Sequence, residues 1–332
     1  MKIKTFCMAE ESGYRERDTI FSQDGISPAL LTSNLSNQRR YCVKLKFVGG
    51  LGKPRVNNGE LSREWSEGNR IYSEEGLCPT LSSNSGQASG GSQLMSTNMR
   101  VRRLTPTECE RLMSWEDGRT KYGQDESGKV YELSDSRRYK CIGNGIVSSV
   151  SKKIIEETIT PGRIFSICSG VDGSCLALDK TKYPVVGFCE FDKYPSDVLR
   201  YHYPHIKNWG DLTKLPFNDL PDFEILFSSV SCQSFSQAGK KLGLEDTRGT
   251  LFYYMAKILH VKNPKYFIFE NVPGLLSHDK GRTFEIMLEV LCGAGYAVDF
   301  ELVNAKYFGV AQNRQRLFMV GMRLDNHDSS IL

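Results

Sequence analysis

The sequence predicts an α/β fold: a Rossmann-like, mostly parallel sheet with helices on both faces, preceded by a smaller, strand-rich region. Three observations predict it. Beyond Pro161-Gly162, short apolar runs rich in β-branched and aromatic residues alternate with segments of helical periodicity, the signature of repeated βαβ units. The first 98 residues are instead rich in Gly, Ser, Asn and Arg, with short extended patterns and few helical ones. Finally, 332 residues is a length that suits about two domains with a sizeable core.

The elements follow in order. Asp18–Leu30 and Asn69–Leu81 form a weak internal repeat, each a short strand, an acidic-Gly turn and a Pro-led extended segment. Tyr41–Val48 alternates like a half-buried strand, and residues 83–98 read as loop. Thr105-Pro106-Thr107-Glu108 combines an N-cap, a Pro at the first helical position and a capping-box Glu, so a helix should run through Met113. A hairpin-like insertion follows at about 118–135. Ile146, Val147, Val150, Ile154 and Ile155 then recur at helical spacing. In the second half, strands are expected at Ile164–Cys168, Val185–Glu190, Glu224–Ser228, Tyr266–Glu270, Ala297–Val303 and Leu317–Met322. Helices are expected at Ser174–Asp179, Tyr194–His202, Leu251–Lys262 and Phe284–Cys292. This divides the chain into a small strand-rich region at 1–98, a linking segment at 99–160, a sheet domain at 161–324 and a tail at 325–332.

Charge is uneven. Residues 1–162 hold 24 Lys and Arg against 20 Asp and Glu, so the whole net charge of +4 sits there. Between Asp24 and Glu60 no acid occurs, while Arg39, Arg40, Lys44, Lys46, Lys53 and Arg55 all do. Such a stretch suits a polyanion, or is a solvated loop with biased charge. No apolar run approaches a membrane span, and the opening Met-Lys-Ile-Lys lacks the apolar stretch of a signal peptide. Ten cysteines without any Cys-x-x-Cys argue against a zinc site and for reduced thiols, hence a cytoplasmic protein without membrane or metal.

In a parallel sheet, ligands bind beyond the carboxyl ends of the strands. After the first strand comes Cys168-Ser169-Gly170-Val171-Asp172-Gly173; after the second comes Glu190, twenty residues past Gly170. A Gly-bearing turn and an acid at that spacing point to the ribose of an adenosine-containing cofactor; the alternative is a structural turn beside an exposed acid. Asp211 could accept from an adenine amine. The third strand leads to Cys232, placed as a nucleophile or as a small buried residue. Residues 233–250 carry Lys240, Lys241 and Arg248 in a Gly-bearing stretch that suits a phosphate-touching lid. Glu270, Arg314 and Arg316 fall at the same sheet edge.

Several phrases now form a set. Cys232-Gln-x-Phe-Ser-x-Ala-Gly with Glu-Asp-x-Arg-Gly-Thr-Leu-Phe (through 252), Glu270-Asn271-Val272, Gln312-x-Arg314-x-Arg316, Arg103-Leu-Thr-Pro-x-Glu108 and Gly143-Asn144-Gly145-x-Val147 all occur. With these the chain, over about 100–323, resembles the DNA cytosine-5 methyltransferases. The resemblance implies S-adenosyl-L-methionine as cofactor, double-stranded DNA as partner and a flipped target cytosine. It implies Cys232 as the thiolate that adds to C6, Glu270 at the base's N3 edge, Arg316 at O2 and Arg314 at the nearby backbone or the pocket wall. Phe165, Ser169, Gly170, Gly173, Glu190, Asp211 and Asn144 would hold the cofactor. The region at 1–98 would be the target-recognition region, and Ser234, Lys240, Lys241, Arg248, Arg39 and Arg40 would meet DNA. A monomer is expected, with a cognate restriction endonuclease, where one exists, acting independently. A catalytically silent DNA-binding relative, an RNA cytosine-5 methyltransferase and a nicotinamide oxidoreductase are the competing readings.

The order of motifs departs from the family's. The segments containing Arg103-Leu-Thr-Pro and Gly143-Asn144-Gly145 usually come last, whereas here they precede the cofactor turn, so the chain resembles a circular permutant joined through Glu156–Arg163 and of phage or bacterial type. Ser231 stands where the family has Pro, Cys168 where it has Phe, Asp172 where it has Gly and Ala311 where it has Pro. Asp172 is expected either to repel a cofactor carboxylate or to cap a helix.

Overall fold

The computed structural model describes residues 103–230 and 251–324 in full, and ahead of them the backbone of the strands between 47 and 102. Those strands are β1 (Phe47–Gly50), β2 (Arg55–Asn57), β3 (Glu60–Arg63), β4 (Arg70–Ser73), β5 (Cys78–Pro79), β6 (Leu94–Thr97) and β7 (Arg100–Arg103). Four of them form a sheet in the order β1-β4-β6-β7, and β2 pairs with β3. The second copy of the sequence repeat supplies both β4 and β5. Its first copy lies outside the described residues, as do the tail at 325–332 and most of Tyr41–Val48, of which Phe47 and Val48 open β1.

The linking segment begins with α1 (Pro106–Leu112), capped as its sequence predicts. Thr105 Oγ1 accepts from the Glu108 N–H, and the Glu108 carboxylate takes the Thr105 N–H in return. The hairpin β8 (Tyr122–Gln124) and β9 (Val130–Glu132) follows. Next come α2 (Asp135–Gly143), which the periodicity does not reveal, and α3 (Ser148–Thr158). Ile146 and Val147 precede that helix rather than opening it.

The sheet domain contains β10 (Ile164–Ile167), β11 (Val185–Cys189), α4 (Lys193–His202), β12 (Ile225–Ser228), α5 (Leu251–Lys262), β13 (Tyr266–Asn271), α6 (Arg282–Gly293), β14 (Tyr296–Asn304), β15 (Gln312–Asn313) and β16 (Gln315–Arg323). Six strands pair in the order β11-β10-β12-β13-β16-β14. The first three pairings are parallel and the last two antiparallel. Because β11 lies on one side of β10 and β12 on the other, the strand order reverses at β10, which opens a crevice at the carboxyl edge.

Alternate residues of these strands feed two cores. Ile164, Ile225, Phe227, Ile268 and Phe318 face α1 to α4, while Phe165, Leu226, Phe267, Phe269 and Leu317 face α5 and α6. Both faces are covered, so the strands read as unbroken apolar runs. Residues 103–160 thus build much of one face although they precede the sheet in the chain.

One expected element is missing. Ser174–Asp179 forms successive turns, with Cys175 N–H donating to Asp172 O and Leu178 N–H to Cys175 O. The carbonyls that would start a helix are taken by side chains: Gly173 O by Ser148 Oγ (2.7 Å), Ser174 O by Ser151 Oγ (2.6 Å) and Cys175 O by Lys180 Nζ (2.6 Å). Docking of α3 therefore replaces the helix. Among the described residues, no helix is long and apolar enough to cross a membrane.

Candidate active site

A cleft of about 740 Å³ opens at the carboxyl edge of the parallel strands. Each strand end contributes: Cys168 and Gly170 after β10, Cys189 to Asp192 at and after β11, Ser229 and Val230 after β12, and Glu270 to Val272 at β13. Since β16 runs antiparallel, its start lies at the same edge and brings Arg314 and Arg316 into the wall. Asn144, at the end of α2, closes the far side.

On one flank, Glu190 accepts from the Gly170 N–H (2.8 Å) and the Asp192 N–H (2.8 Å). Burial pushes its carboxyl above the usual range, against the pull of these two peptides. Gly170 has φ +55 and Gly210 φ +75, and a Cβ at either would meet nothing within 4 Å. The left-handed backbone is what requires glycine there, and the open side of Gly170 and Gly210 faces the cleft they line. Asp211 Oδ1 caps the following turn through the Thr213 N–H and hydroxyl, which holds its carboxyl below the usual range. Phe191, 80% exposed, offers a bare ring at the rim.

On the other flank, Glu270 is buried, with Arg316 Nε 3.1 Å from its Oε1. The two lie diagonally on one face of the β13–β16 ladder, where Glu270 pairs with Phe318. Burial raises the Glu270 carboxyl, and the positive charges of Arg316 and Arg314 oppose that only in part. Arg314 is buried and donates to Gly143 O (3.1 Å) and Gly145 O (2.8 Å), so it ties the turn carrying Asn144 to the sheet. Burial lowers its guanidinium to about 9, still protonated at neutral pH.

Of the residues expected at a cofactor, Gly170, Glu190, Asp211 and Asn144 line the cleft. Three lie beneath it. Phe165 is fully buried and stacks on Phe223 at 5.1 Å. Ser169 Oγ donates to Ser166 O. Gly173 lies against Trp115, where a Cβ would come within 2.5 Å of the indole. Asp172 also faces away from the cleft: its Oδ2 takes the Tyr203 hydroxyl at 2.6 Å, inside the core. It caps no helix, and it does not line the cleft. Cys232, Ser231, Ser234, Lys240, Lys241, Arg248, Arg39 and Arg40 lie outside the described residues.

Several contributors make contacts that the sequence phrases do not assign. Asn271 Nδ2 donates to Val230 O (2.9 Å), fixing the chain that leads towards Cys232. Gln312 Nε2 donates to Leu112 O (2.9 Å) and pins the end of α1. Arg137, Lys140 and Asp192 line the mouth; their only sequence signal is proximity to Asn144 and Glu190. The cleft also has three thiols. Burial pushes Cys141 and Cys168 up to about 12 and raises Cys189 as well, so none is a thiolate at neutral pH. No cluster of metal-ligating side chains occurs among the described residues.

Comparison with known proteins supplies the remaining observation. Residues 162–331 match the family described as C-5 cytosine-specific DNA methylase. The orphan methyltransferase M.SPRI of Bacillus phage SPR is 44% identical over 49% of this chain and 38% of its own length. The type II methyltransferase M.NgoBV of Neisseria gonorrhoeae is 48% identical over 40% of this chain and 33% of its own. M.SsoII of Shigella sonnei, also a type II methyltransferase, is 37% identical over 65% of this chain and 54% of its own. The matches thus span about a third to a half of these relatives. The family match covers half of the chain and carries the strand ends that form the cleft, so the chain belongs to the C-5 cytosine-specific DNA methylase family.

Proposed function

We propose that the protein is a DNA cytosine-5 methyltransferase that uses S-adenosyl-L-methionine. One observation carries the reading: a single cleft joins a nucleoside-type flank (Gly170, Glu190, Phe191, Asp211) to an acid–arginine flank (Glu270, Arg316), and the end of β12 leads from between them to Cys232. The first flank fits an adenosine. Glu190 presents a carboxylate for ribose hydroxyls, the Gly170 and Gly210 backbones leave room, and the Phe191 ring is free to stack on a base. When bound there, the cofactor supplies an electrophilic methyl group.

The chain's own residues would then act on the cytosine. The Cys232 thiolate adds to C6, which makes C5 nucleophilic. Glu270, whose carboxyl burial shifts towards the protonated form, donates to N3 and offsets the charge the ring gains. Arg316, beside Glu270, donates to O2. Loss of the C5 proton and of Cys232 completes the cycle. The target atom is stacked inside a duplex, so the base must leave the helix first. Lys240, Lys241 and Arg248 would contact phosphates, and the acid-free stretch with Arg39 and Arg40 would add to the DNA-facing charge.

The same reading includes circular permutation. α3 ends at Thr158 and β10 begins at Ile164, so a short connection suffices at the junction. Ser148, Ser151, Gln312 and Arg314 hold the 103–160 segment to the sheet by contacts that do not depend on chain order. The family match starting at residue 162 accords with this. Intact-protein mass spectrometry after incubation with a 5-fluorocytosine duplex and S-adenosyl-L-methionine tests the activity. A covalent adduct lost in Cys232→Ala is expected; no adduct with the wild-type chain overturns the proposal.

A further inference from the structure

The mouth of the cleft is crossed by two contacts that the chemistry above does not use. Lys140 Nζ, on α2, lies 2.7 Å from Asp192 Oδ2, just ahead of α4. Arg137, one turn earlier on α2, sets its guanidinium 4.2 Å from the centre of the Tyr194 ring. All four residues line the cleft. They link α2 to the start of α4 at the mouth, two helices that also share one hydrophobic core.

Asp192 forgoes something to make this contact. It is the N-cap residue of α4, yet its side chain makes no capping hydrogen bond. An Asp at that position ordinarily satisfies a free N–H of the first turn; here the carboxylate turns across the opening to Lys140. Its own N–H meanwhile donates to Glu190 Oε1, so the position of residue 192 bears on the orientation of the acid assigned to the ribose. The α2 end of the bridge is rigidly founded. Arg138 is buried against Glu110, and Arg314 grips the carbonyls of Gly143 and Gly145. The α4 side carries the exposed Phe191, so the bridge closes over the place where an adenine would stack.

We propose that Lys140 and Asp192, seconded by Arg137 on Tyr194, form a latch across the cofactor mouth that sets how long an adenosyl ligand resides. Lys140 and Asp192 are positioning residues in this scheme: they hold the walls together and keep Glu190 aimed, and they touch no reacting atom. The inference rests on the cofactor reading above. The pair is partly exposed, with side chains 45% and 31% accessible, so its effect is bounded at about five-fold in a rate or equilibrium.

Surface plasmon resonance of S-adenosyl-L-homocysteine over the immobilised full chain tests it. Lys140→Met and Asp192→Asn should each speed release by about three- to five-fold. Lys140→Met/Asp192→Asn should release no faster than either single variant, and 0.5 M salt should bring the wild type towards the variants while leaving them unmoved. Asn retains capping ability, so Asp192→Asn should keep or raise the Tm while it speeds release, a split that a merely structural role does not produce. Release at the wild-type rate in both single variants overturns the latch, as does multiplication of their effects in the double variant. A wild-type chain that binds no S-adenosyl-L-homocysteine instead overturns the cofactor reading, and the latch with it.

Discussion

Glu110 and Glu270 are both buried carboxylates beside an arginine, but their surroundings differ. Glu110, on α1, accepts from the Gly118 N–H, the Thr120 N–H and hydroxyl, and Arg138 Nη2 on both oxygens. Its capacity is filled from two segments of the linking region, the turn at 118–120 and α2. Glu270 has Arg316 Nε at 3.1 Å as its partner among the described residues, and the rest of its carboxyl is left to the cleft. A buried charge with every lone pair occupied is scaffolding. One with spare capacity beside a cavity holds a carboxyl ready for something not yet bound. The same pair of residue types therefore braces one region and equips the other.

The largest expected effect breaks this contrast most directly. Glu270→Gln should lower methyl transfer by about 10²- to 10⁴-fold, the usual range for a positioned proton donor, as measured by single-turnover transfer to duplex DNA, while the protein still folds. Its stability should depend on pH. The folded Glu270 carboxyl titrates above its ordinary value of 4.5, so the fold favours the neutral form. Below that value both states are protonated and the Gln variant should melt with the wild type. As pH rises through the window above 4.5, the wild type loses stability that the variant keeps. The Tm of Glu270→Gln should then exceed that of wild type at pH 8 and match it near pH 4. Equal activity, or a lower Tm at pH 8, would make Glu270 another structural carboxylate.

The reverse is expected at the linking region. Glu110→Ala strands Arg138 and three further donors in the core, at a cost of about 3–5 kcal/mol. The expected result is a protein that melts well below wild type in thermal unfolding or fails to accumulate. The loss of activity should be recovered in whatever fraction stays folded at low temperature. A stable but inactive Glu110→Ala would place α1 in the chemistry and erase the distinction.

How far each region was legible follows the same division. The six strands and the helices around Tyr194, Leu251 and Phe284 were readable because fully covered strands are apolar throughout and helices carry their own periodicity. The gathering of Glu190, Glu270 and Arg316 at one cleft was readable because local phrases mark the ends of strands. The helix expected at Ser174–Asp179 failed because the competing donors, Ser148 and Ser151, come from a distant helix. Phe165 lies in β10 and Ser169 and Gly173 in the loop after it, yet a linear phrase does not say which side chains line a cavity and which do not. Lys140–Asp192, Asn271–Val230 and Gln312–Leu112 are contacts across 52, 41 and 200 positions. No spacing rule reaches them, because they depend on how the sheet brings its edges together.

The smallest effect tests the scaffold side at its outer end. Thr105 is exposed, lies at the start of α1 and does not line the cleft. Its hydroxyl accepts from the Glu108 N–H at 3.3 Å, while its own N–H donates to Glu108 Oε2 at 2.7 Å. Thr105→Ala removes the first contact, together with the hydroxyl's own donation to Glu108 Oε2 at 2.9 Å, and leaves Pro106 and the second in place. A lost N-cap of this kind costs about 1 kcal/mol, or about 2–4 °C in Tm for a domain of this size, and Thr105→Ser should restore it. α1 carries Glu110, and its end is held by Gln312, so some of this loss reaches the linking region as a whole. It should not reach Glu270. At 25 °C the single-turnover rate should stay within about two-fold of wild type, since the folded population barely changes when a stable fold loses about 1 kcal/mol. If the rate falls while Tm holds, α1 and the cleft share more than a fold, and the division between bracing and equipped carboxylates has to be redrawn at Gln312, the residue that joins them.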